Sequence, residues 1–187
     1  MTNKDPDRDL IARIAAKDHT AMHALFARHN VRVFRFLMGR IRNEALAEEL
    51  TNEVFLEVWR HAGRYEGRSA VSTWVLAIAH NMAMSQLRRR KEDELEDEVA
   101  EQVADDSDDP EESAQKRSKA EQMRAVIDDL SDDHREVIDL VYYHEKSVRE
   151  VAEIVGIPEA TVKTRMHYAR KALGEMMKDA GIDRGWP

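Results

Sequence analysis

The chain contains few residue patterns that could support catalysis. His19 and His23 are four residues apart, and on a helix this spacing places both imidazoles on one face, where they could bind a metal ion. The pair lacks the glutamate of an H-E-x-x-H motif and a clear third ligand, so we interpret both histidines as helix surface. The absence of cysteine excludes disulfides, thiolate metal sites and direct thiol redox sensing.

Motifs that bind nucleotides for catalysis do not occur either. The 187 residues contain neither a P-loop nor a glycine-rich dinucleotide motif. We therefore expect a protein that is not an enzyme and that carries no cofactor or metal ion. Residues 1–9 are polar, and no run approaches about 18 consecutive apolar residues, so we also expect a cytoplasmic protein without membrane insertion.

Charge is distributed unevenly along the chain. Residues 1–90 carry 15 Lys or Arg and 10 Asp or Glu, residues 91–120 carry 4 and 13, and residues 121–187 carry 10 and 14. The formal total of −8 therefore hides a basic first segment and a strongly acidic middle. Because a polyanion responds to the field within a Debye length, about 8–10 Å in physiological salt, the acidic total does not exclude nucleic acid as a partner.

A helix-turn-helix pattern covers residues 147–173. Ser147 and Glu150 have the spacing of a capping box at the start of one helix. Gly156 suits the end of that helix, and Pro158 suits the start of the next one. The sequence therefore predicts two helices that meet at a tight turn.

The interior positions of this pattern are mostly apolar or small. They are Val151, Ala152, Val155, Ile157 and Val162. Arg165 stands where many such units bury an apolar residue, and we expect Met166 to take that buried position instead.

The second helix of the pattern is basic. Between Ala160 and Gly174 there is no Asp or Glu, whereas residues 121–159 carry 11 acidic and only 4 basic side chains. The positive charge is confined to the helix that such a domain inserts into the major groove, so the pattern predicts binding to duplex DNA. An ordinary helical hairpin with a solvated basic face is the alternative.

A second group of residues suits single-stranded nucleic acid. Two glycines interrupt the helical pattern at residues 62–69, which we interpret as a loop. Aromatic, amide, hydroxyl and basic side chains occur in or after it, namely Tyr65, Arg68, Ser69, Ser72, Trp74, Asn81, Arg88 and Arg89. Unstacked bases need rings to stack on and amides to bind their edges. Trp74 could equally be a core residue, and the basic run could simply complement a helix C-terminus.

The elements that would position these side chains are helices. Apolar residues recur at intervals of three and four along residues 10–37 and 46–58. Residues 92–119 lack aromatic side chains and are dominated by acids, so we predict a flexible acidic linker there, or at most a frayed helix. The expected fold is all-α, with two small helical domains at residues 1–91 and 120–187.

Capping residues predict where individual helices begin. Asn43 is expected to cap the helix that carries the stripe at residues 46–58. Ser69 or Ser72 is expected to cap a helix that ends in the basic run at residues 88–91. In the second domain, Ser131 is expected to cap the helix before the helix-turn-helix.

Three segments together resemble the extracytoplasmic-function (group IV) sigma factors. They are residues 47–60, AEELTNEVFLEVWR, residues 72–81, STWVLAIAHN, and residues 151–173. Their order matches sigma regions 2 and 4, while region 3 and the acidic N-terminal region of housekeeping sigma factors have no counterpart. The resemblance implies an alternative sigma factor that binds core RNA polymerase and directs it to the −10 and −35 elements of stress-response promoters.

The resemblance also assigns residues to partners. The coiled coil of the polymerase β′ subunit would be bound by Glu49, Asn52, Glu53, Leu56 and Trp59, of which the first four share a helix face. The residues given above from Tyr65 to Arg89 would bind the −10 element, and the segment from Tyr65 to Ser72 together with Asn81 would capture a flipped base of its non-template strand. The −35 element would be contacted by Thr161, Lys163, Thr164, Arg165, His167, Tyr168, Arg170 and Lys171. Region 4 would also meet the β flap.

Two further expectations concern regulation. Many sigma factors of this group are held inactive by an anti-sigma factor, and the resemblance implies such a partner here. The sequence is also similar to the subgroup that is paired with zinc-binding anti-sigma factors and responds to singlet oxygen. The alternative function is a helix-turn-helix regulator that binds duplex operators, whose first domain would need no polymerase-binding face.

Overall fold

The computed structural model describes residues 5–100, 127 and 129–179. Within them lie seven α-helices and no strand: α1 (Arg8–Ala15), α2 (His19–Ile41), α3 (Glu44–His61), α4 (Val71–Ala100), α5 (Asp132–Ile138), α6 (Val148–Val155) and α7 (Glu159–Asp179). The all-α prediction is confirmed for this part of the chain. None of the described helices combines the length and the apolar composition that a membrane span requires.

Side-chain caps determine where α2 and α3 begin. Asp18 accepts a hydrogen bond from the Ala21 amide at 3.1 Å, and Asn43 accepts one from the Leu46 amide at 3.0 Å. Each bond satisfies a backbone donor that has no partner within its helix. The predicted Asn43 cap is confirmed.

The first four helices pack around an apolar core. Its fully buried side chains include Ile14, Leu25, Phe36, Val54 and Val75. A short 3₁₀ turn at Ala62–Arg64 follows α3, and residues 65–70 then lead into α4. The helical bundle therefore fixes both ends of the loop that carries the predicted strand-binding residues.

The start of α4 differs from the prediction. Neither Ser69 nor Ser72 caps the helix, because the Ala70 carbonyl accepts the first helical hydrogen bonds and the helix begins at Val71. The Val71 amide donates instead to the Asp5 carboxylate at 2.6 Å. A residue 66 positions away thus supplies the cap, which a search for local capping residues could not find.

The end of α4 also differs from the prediction. The helix passes the basic run at residues 88–91 and continues to Ala100, so the expected end at Lys91 is wrong. Residues 92–100 contain no glycine or proline, and four of the nine are Glu, whose helix propensity is compatible with this extension. The rest of the expected linker lies outside the described residues.

The second half of the described chain, residues 129–179, begins with a helix whose pitch changes along its length. α5 continues into a π-helical turn, Asp139–Tyr143, in which the His144 amide donates to the Asp139 carbonyl at 3.0 Å. Ser131 precedes α5 as expected, but its side chain makes no capping hydrogen bond. The Ser131 carbonyl accepts from the Arg135 amide at 2.9 Å, so Ser131 begins the helix through its backbone.

The predicted helix-turn-helix is confirmed in α6 and α7. Ser147 and Glu150 form both halves of the capping box, since the Ser147 amide donates to Glu150 Oε2 at 2.9 Å and the Glu150 amide donates to Ser147 Oγ at 3.3 Å. Gly156 ends α6 with a φ of 72°, a left-handed conformation that glycine adopts without strain. Pro158 directly precedes α7, and its carbonyl accepts from the Thr161 amide at 2.9 Å.

The interior of the helix-turn-helix largely follows the sequence pattern. Val151 and Val162 are buried, and Met166 is buried in place of the basic residue before it. Val155 is only half-buried. Arg165 lies outside this core and pairs with an acidic side chain of α5.

The two halves of the chain share one apolar core, which the sequence did not predict. Val137 of α5 and Ile154 of α6 belong to the same buried cluster as Phe36 of α2 and Leu76 of α4. α6 packs against α4, and α5 packs against α2. The ring of His144 meets the Phe36 ring edge-on with 5.7 Å between centroids. The helix-turn-helix is therefore held against the first four helices.

Gly156→Ala should lower the melting temperature, whereas Gly174→Ala should raise it. A Cβ at Gly156 would meet no atom within 4 Å, so the cost of about 1 kcal/mol comes from its left-handed backbone alone. Gly174 has equally open surroundings within α7 and no left-handed φ, so alanine there should gain about 0.5–1 kcal/mol. Thermal unfolding followed by circular dichroism measures both shifts. Shifts of the same sign would contradict the role assigned to Gly156.

Candidate nucleic-acid interface

Two aromatic rings meet beside the loop between α3 and α4. The ring centroids of Tyr65 and Trp74 are 5.3 Å apart, with 48° between the ring planes, and both side chains are half-buried. The Tyr65 hydroxyl donates to the Ser69 carbonyl at 2.5 Å, which holds the ring against the loop. The structure thus joins two predicted residues, Tyr65 and Trp74, into one patch, which we call the loop surface; Ser69, also predicted, is buried beside them.

Basic side chains lie on and behind the same loop. Arg68 is exposed and pairs with Glu66 at 2.6 Å. Behind the loop, Arg8 Nη2 donates to the Gly67 carbonyl at 2.5 Å, and Gly67 has a φ of 71°. The left-handed backbone at Gly67 and its bond to α1 fix the path of the loop. Arg68 therefore lies exposed on a loop whose backbone is held in place.

A polar groove between α3 and α4 contains another part of the predicted −10 residues. This α3–α4 groove has a volume of about 380 Å³ and is lined by Leu50, Glu53, Glu57, Ile78, Asn81, Met82, Ser85, Gln86 and Arg89. Trp74 and Asn81 are two helical turns apart on one face of α4, so the groove and the loop surface follow each other along that helix. Arg88 is exposed.

Ser85 and Gln86 were missed by sequence reasoning. They follow Asn81 by about one helical turn, and an amide or hydroxyl at that spacing was the available signal. They were overlooked because only the packing of α3 against α4 shows that this turn of the helix lines a groove.

The residues predicted to bind the β′ coiled coil divide into two groups. Glu49, Asn52, Glu53 and Leu56 are exposed along α3, and Leu56 is 52% exposed. Trp59 is half-buried, and its ring stacks on His19 with 4.7 Å between centroids. The exposed group forms a continuous acidic and apolar stripe, which we call the α3 face, whereas Trp59 lies against the start of α2.

A groove between α2 and α3 borders the α3 face. Its volume is about 370 Å³, and it is lined by Phe26, Asn30, Val31, Phe34, Glu48, Thr51 and Asn52. Val31 is 57% exposed and adds apolar area next to the stripe. Sequence reasoning missed Val31 because helix periodicity describes one helix at a time and does not show which residues of α2 lie beside α3.

The predicted −35 residues lie on the outer side of α7. The inner side of the helix packs on the apolar core through Val162, Met166, Ala169, Leu173 and Met177, which are all buried. The outer side exposes Lys163, Thr164, His167, Tyr168, Arg170 and Lys171. Thr161 and Arg165 are half-buried. Six of the eight predicted residues are thus exposed on α7.

Two of the basic side chains of α7 have acidic neighbours. Arg165 Nη2 lies 2.6 Å from Asp133 Oδ2 of α5, which orients its guanidinium towards α5. Lys171 Nζ lies 4.0 Å from Glu175 Oε1, and both side chains are about two-thirds exposed. The ion pair between Lys171 and Glu175 is therefore weak. The ion pair with Asp133 restricts how far the Arg165 side chain can reach towards a ligand.

The second half covers the first turn of α4. Lys146 Nζ donates to Ser72 Oγ at 2.7 Å and to Thr73 Oγ1 at 3.1 Å, and Thr73 Oγ1 donates to Glu150 Oε1 at 2.8 Å. Burial acts to raise the pKa of Glu150, but hydrogen bonds from Ser147 and Thr73, together with the charge of Lys146, lower it to about 2. Burial lowers the pKa of Lys146, against the opposing effect of Glu150. Ser72, a predicted −10 residue, is thus engaged within the protein.

The exposed α3 face, the loop surface and the basic side of α7 suit a protein with both protein and nucleic-acid partners. Two family models match this chain, and both describe regions of sigma factors. Residues 25–92 match the family described as Sigma-70 region 2, and residues 126–175 match Sigma-70, region 4. The matched segments correspond to the bundle with its loop and to the helix-turn-helix.

Known relatives cover nearly the whole chain. The ECF RNA polymerase sigma factor SigL of Mycobacterium tuberculosis is 31% identical over 180 residues, which are 93% of this chain and 98% of the relative. The RNA polymerase sigma factor CarQ of Myxococcus xanthus is 32% identical over 163 residues, 87% of this chain and 92% of the relative. The chain belongs to the ECF family of RNA polymerase sigma factors, and it is an alternative sigma factor that acts in transcription initiation.

Solved structures share the fold. The sigma factor RpoE of Bartonella quintana, solved in complex with the anti-sigma factor NepR, has a TM-score of 0.67 at 24% identity and covers 87% of this chain and 98% of its own. CnrH, solved with the cytosolic domain of CnrY, has a TM-score of 0.67 at 22% identity and covers 92% of this chain and 97% of its own. The two-part helical fold is thus shared with both structures.

Glu150→Gln should destabilise the protein at neutral pH and have less effect in acid. The pKa of Glu150 is lowered from 4.5 to about 2 on folding, so its ionised form adds stability above pH 4.5 that is lost as the pH falls towards 2. The difference in melting temperature between wild type and variant should therefore shrink across that window. Glu153→Gln, at an exposed position of the same helix, is the matched control. A difference that stays constant down to about pH 3 would contradict the bonding assigned to Glu150.

Proposed function

We propose that the sigma factor uses three surfaces, of which the first two meet at Glu53. The α3 face and the groove beside it bind the β′ coiled coil of core RNA polymerase. The loop surface and the α3–α4 groove hold the non-template strand of the −10 element, and the outer side of α7 contacts the −35 duplex. The observation that carries this proposal is the exposed acidic and apolar α3 face in a chain whose relatives are sigma factors.

The α3 face has the chemistry of a helix-docking site. Leu56 and Val31 offer exposed apolar area, and Glu49 and Glu53 place negative charge beside it. A helical partner can bury the apolar residues while its basic side chains meet the carboxylates, which favours fast and specific association. Trp59 supports this face from below, because its contact with His19 ties α3 to the start of α2.

Promoter opening follows from the chemistry of the α4 surfaces. Melting costs about 1.4 kcal/mol for each stacked base step, and stacking of a released base on an aromatic ring returns about 1–3 kcal/mol. Tyr65 and Trp74 offer such rings, and Asn81 and Gln86 offer amides in the next groove. Because these groups bind only the separated strand, they shift the duplex equilibrium towards the open form. The chain therefore acts by binding and not as an enzyme.

The −35 contact uses the basic outer side of α7. Lys163, His167 and Arg170 are exposed on that side. Lysine and arginine at such positions contact phosphates or base edges of the major groove. Arg165 contributes less in this arrangement, because its guanidinium is paired with Asp133. While α7 binds the −35 duplex, region 4 also contacts the β flap of the polymerase, a contact implied by the family resemblance.

An anti-sigma factor is the partner proposed for regulation. RpoE and CnrH, which share this fold, were solved in complex with the anti-sigma factor NepR and the cytosolic domain of CnrY. The resemblance to the singlet-oxygen subgroup further suggests a zinc-binding inhibitor. Co-purification of this chain with the product of the neighbouring gene, followed by zinc analysis of the complex, tests both parts. Recovery of the chain alone would contradict the proposed anti-sigma partner. A metal-free complex would contradict the proposal that this partner binds zinc.

Glu49→Arg should weaken binding to core RNA polymerase by more than tenfold. The change places a positive charge at the N-terminal end of the α3 face, where a basic partner would be repelled. Glu44→Arg makes the same change at an exposed position outside that stripe and should bind normally. Pull-down with core enzyme and in vitro transcription measure the effect. Equal losses in both variants would show that the α3 face has no special role.

Lys163→Ala should weaken promoter binding by the holoenzyme. Loss of a phosphate contact lowers affinity and makes the slope of log K against log salt shallower by about 1. Lys178→Ala removes an exposed lysine from the last turn of the same helix and serves as the control. Filter binding at several salt concentrations measures both slopes. An unchanged affinity in Lys163→Ala would place the DNA contact elsewhere.

A further inference from the structure

The contact between the two halves includes Ser72, one of the residues expected to bind the −10 strand. Lys146, at the turn before α6, uses its ammonium to bond both hydroxyls of the first turn of α4, Ser72 at 2.7 Å and Thr73 at 3.1 Å. Thr73 is fully buried by this packing. In this arrangement the half-buried Ser72 hydroxyl already accepts a hydrogen bond from Lys146, so a DNA strand and the second half compete for Ser72.

A carboxylate of the second half occupies the same place. Glu150 Oε1 accepts from Thr73 Oγ1 at 2.8 Å, beside the start of the long helix α4. The start of a helix attracts negative charge, and a carboxylate there can be replaced by a phosphate of similar charge. The low pKa of Glu150, about 2, means that the group is negatively charged at neutral pH. Region 4 thus places the Glu150 carboxylate where the DNA strand would place a phosphate.

The loop surface is also influenced by the second half. Burial raises the pKa of the Tyr65 hydroxyl; Arg8 lowers it, and the negative charges of Asp5 and Glu153 raise it further. Glu153 belongs to α6, so that helix lies close enough to place negative charge near Tyr65. A DNA phosphate that approached Tyr65 in this arrangement would be repelled by Glu153 as well.

A second, buried ion pair anchors the same contact. Glu136 of α5 is almost fully buried between two residues of the first half, with His80 Nδ1 at 2.7 Å and Arg40 Nε at 3.4 Å from its Oε1 atom. Nearby, Arg35 of α2 donates a hydrogen bond to the Tyr143 hydroxyl. A buried carboxylate is stable only while its partners are present, so these bonds define one position for region 4 on region 2.

We propose that region 4 is an intramolecular competitor of the −10 strand: Lys146 and Glu150 occupy the first turn of α4, and Glu136 anchors the closed form. This inference rests on the proposed function of the α4 surfaces. The free chain binds single-stranded DNA only in the fraction of molecules that are open, so its apparent dissociation constant is raised by the inverse of that fraction. DNA that binds the open form shifts the chain towards it.

Energy transfer between two dyes tests the closed form directly. The chain has no cysteine, so Ala45→Cys and Glu175→Cys give one exposed thiol in each half for labelling. The closed form should give high transfer. Saturation of the full-length labelled chain with a single-stranded DNA of random sequence should lower the transfer, and an equal amount of glutamate should not. Unchanged transfer at saturating DNA would overturn the proposal.

Variants of the anchors test the competition. Glu136→Gln and Lys146→Met should lower the transfer and tighten binding of the same DNA at least about threefold, because a larger fraction of molecules is open. Glu145→Gln and Lys178→Met make the same changes at exposed positions and should match wild type. Far-ultraviolet circular dichroism confirms that each variant is helical. Opening without tighter DNA binding would overturn the proposal, and so would a folded variant that stays closed.

A separate measurement distinguishes this inference from the proposed function. In vitro transcription with core enzyme on a promoter library tests whether the wild-type chain directs initiation. Failure there would reject the surfaces assigned under the proposed function, whatever the dyes report. Normal transcription together with unchanged transfer in every condition would reject only the intramolecular competition.

Discussion

The first turn of α4 is the constraint on which both halves of the structure depend. The Val71 amide bonds the Asp5 carboxylate, and the buried Thr73 hydroxyl bonds Glu150. Lys146 is buried beside them with its ammonium on Ser72 and Thr73. A buried polar group without a partner costs about 1–3 kcal/mol, so α6 must lie where these bonds can form. The position of the helix-turn-helix on the bundle follows from this requirement.

Segregation of charge allows an acidic chain to bind DNA. The outer side of α7 carries Lys163, His167 and Arg170, whereas acids lie in α5 and at the turn before α6. The α3 face has the opposite character, with carboxylates beside exposed apolar side chains. Because screening limits each field to about a Debye length, these surfaces act independently on different partners. Net charge therefore describes neither surface.

Local signals in the sequence were sufficient for much of the fold. Asn43, the Ser147 and Glu150 capping box, and Gly156 were predicted from spacing alone, since each acts on backbone groups within four residues. The prediction of a serine cap for α4 was wrong because Asp5 performs that role from a distant part of the chain. For the candidate site, residue types and order indicated Tyr65, Trp74 and the basic face of α7, but not which of them lie together.

The sequence by itself determined the helical class, the helix-turn-helix, the separation of charge and the resemblance to ECF sigma factors. These properties depend on residue type and short-range periodicity, which are visible in a single chain. Only the tertiary structure decided that Val31 extends the α3 face, that Asn81 shares a groove with Glu53 of α3, and that Lys146 covers Ser72. Such contacts join residues far apart in sequence, and they form because buried apolar area and buried charges must find partners across helices.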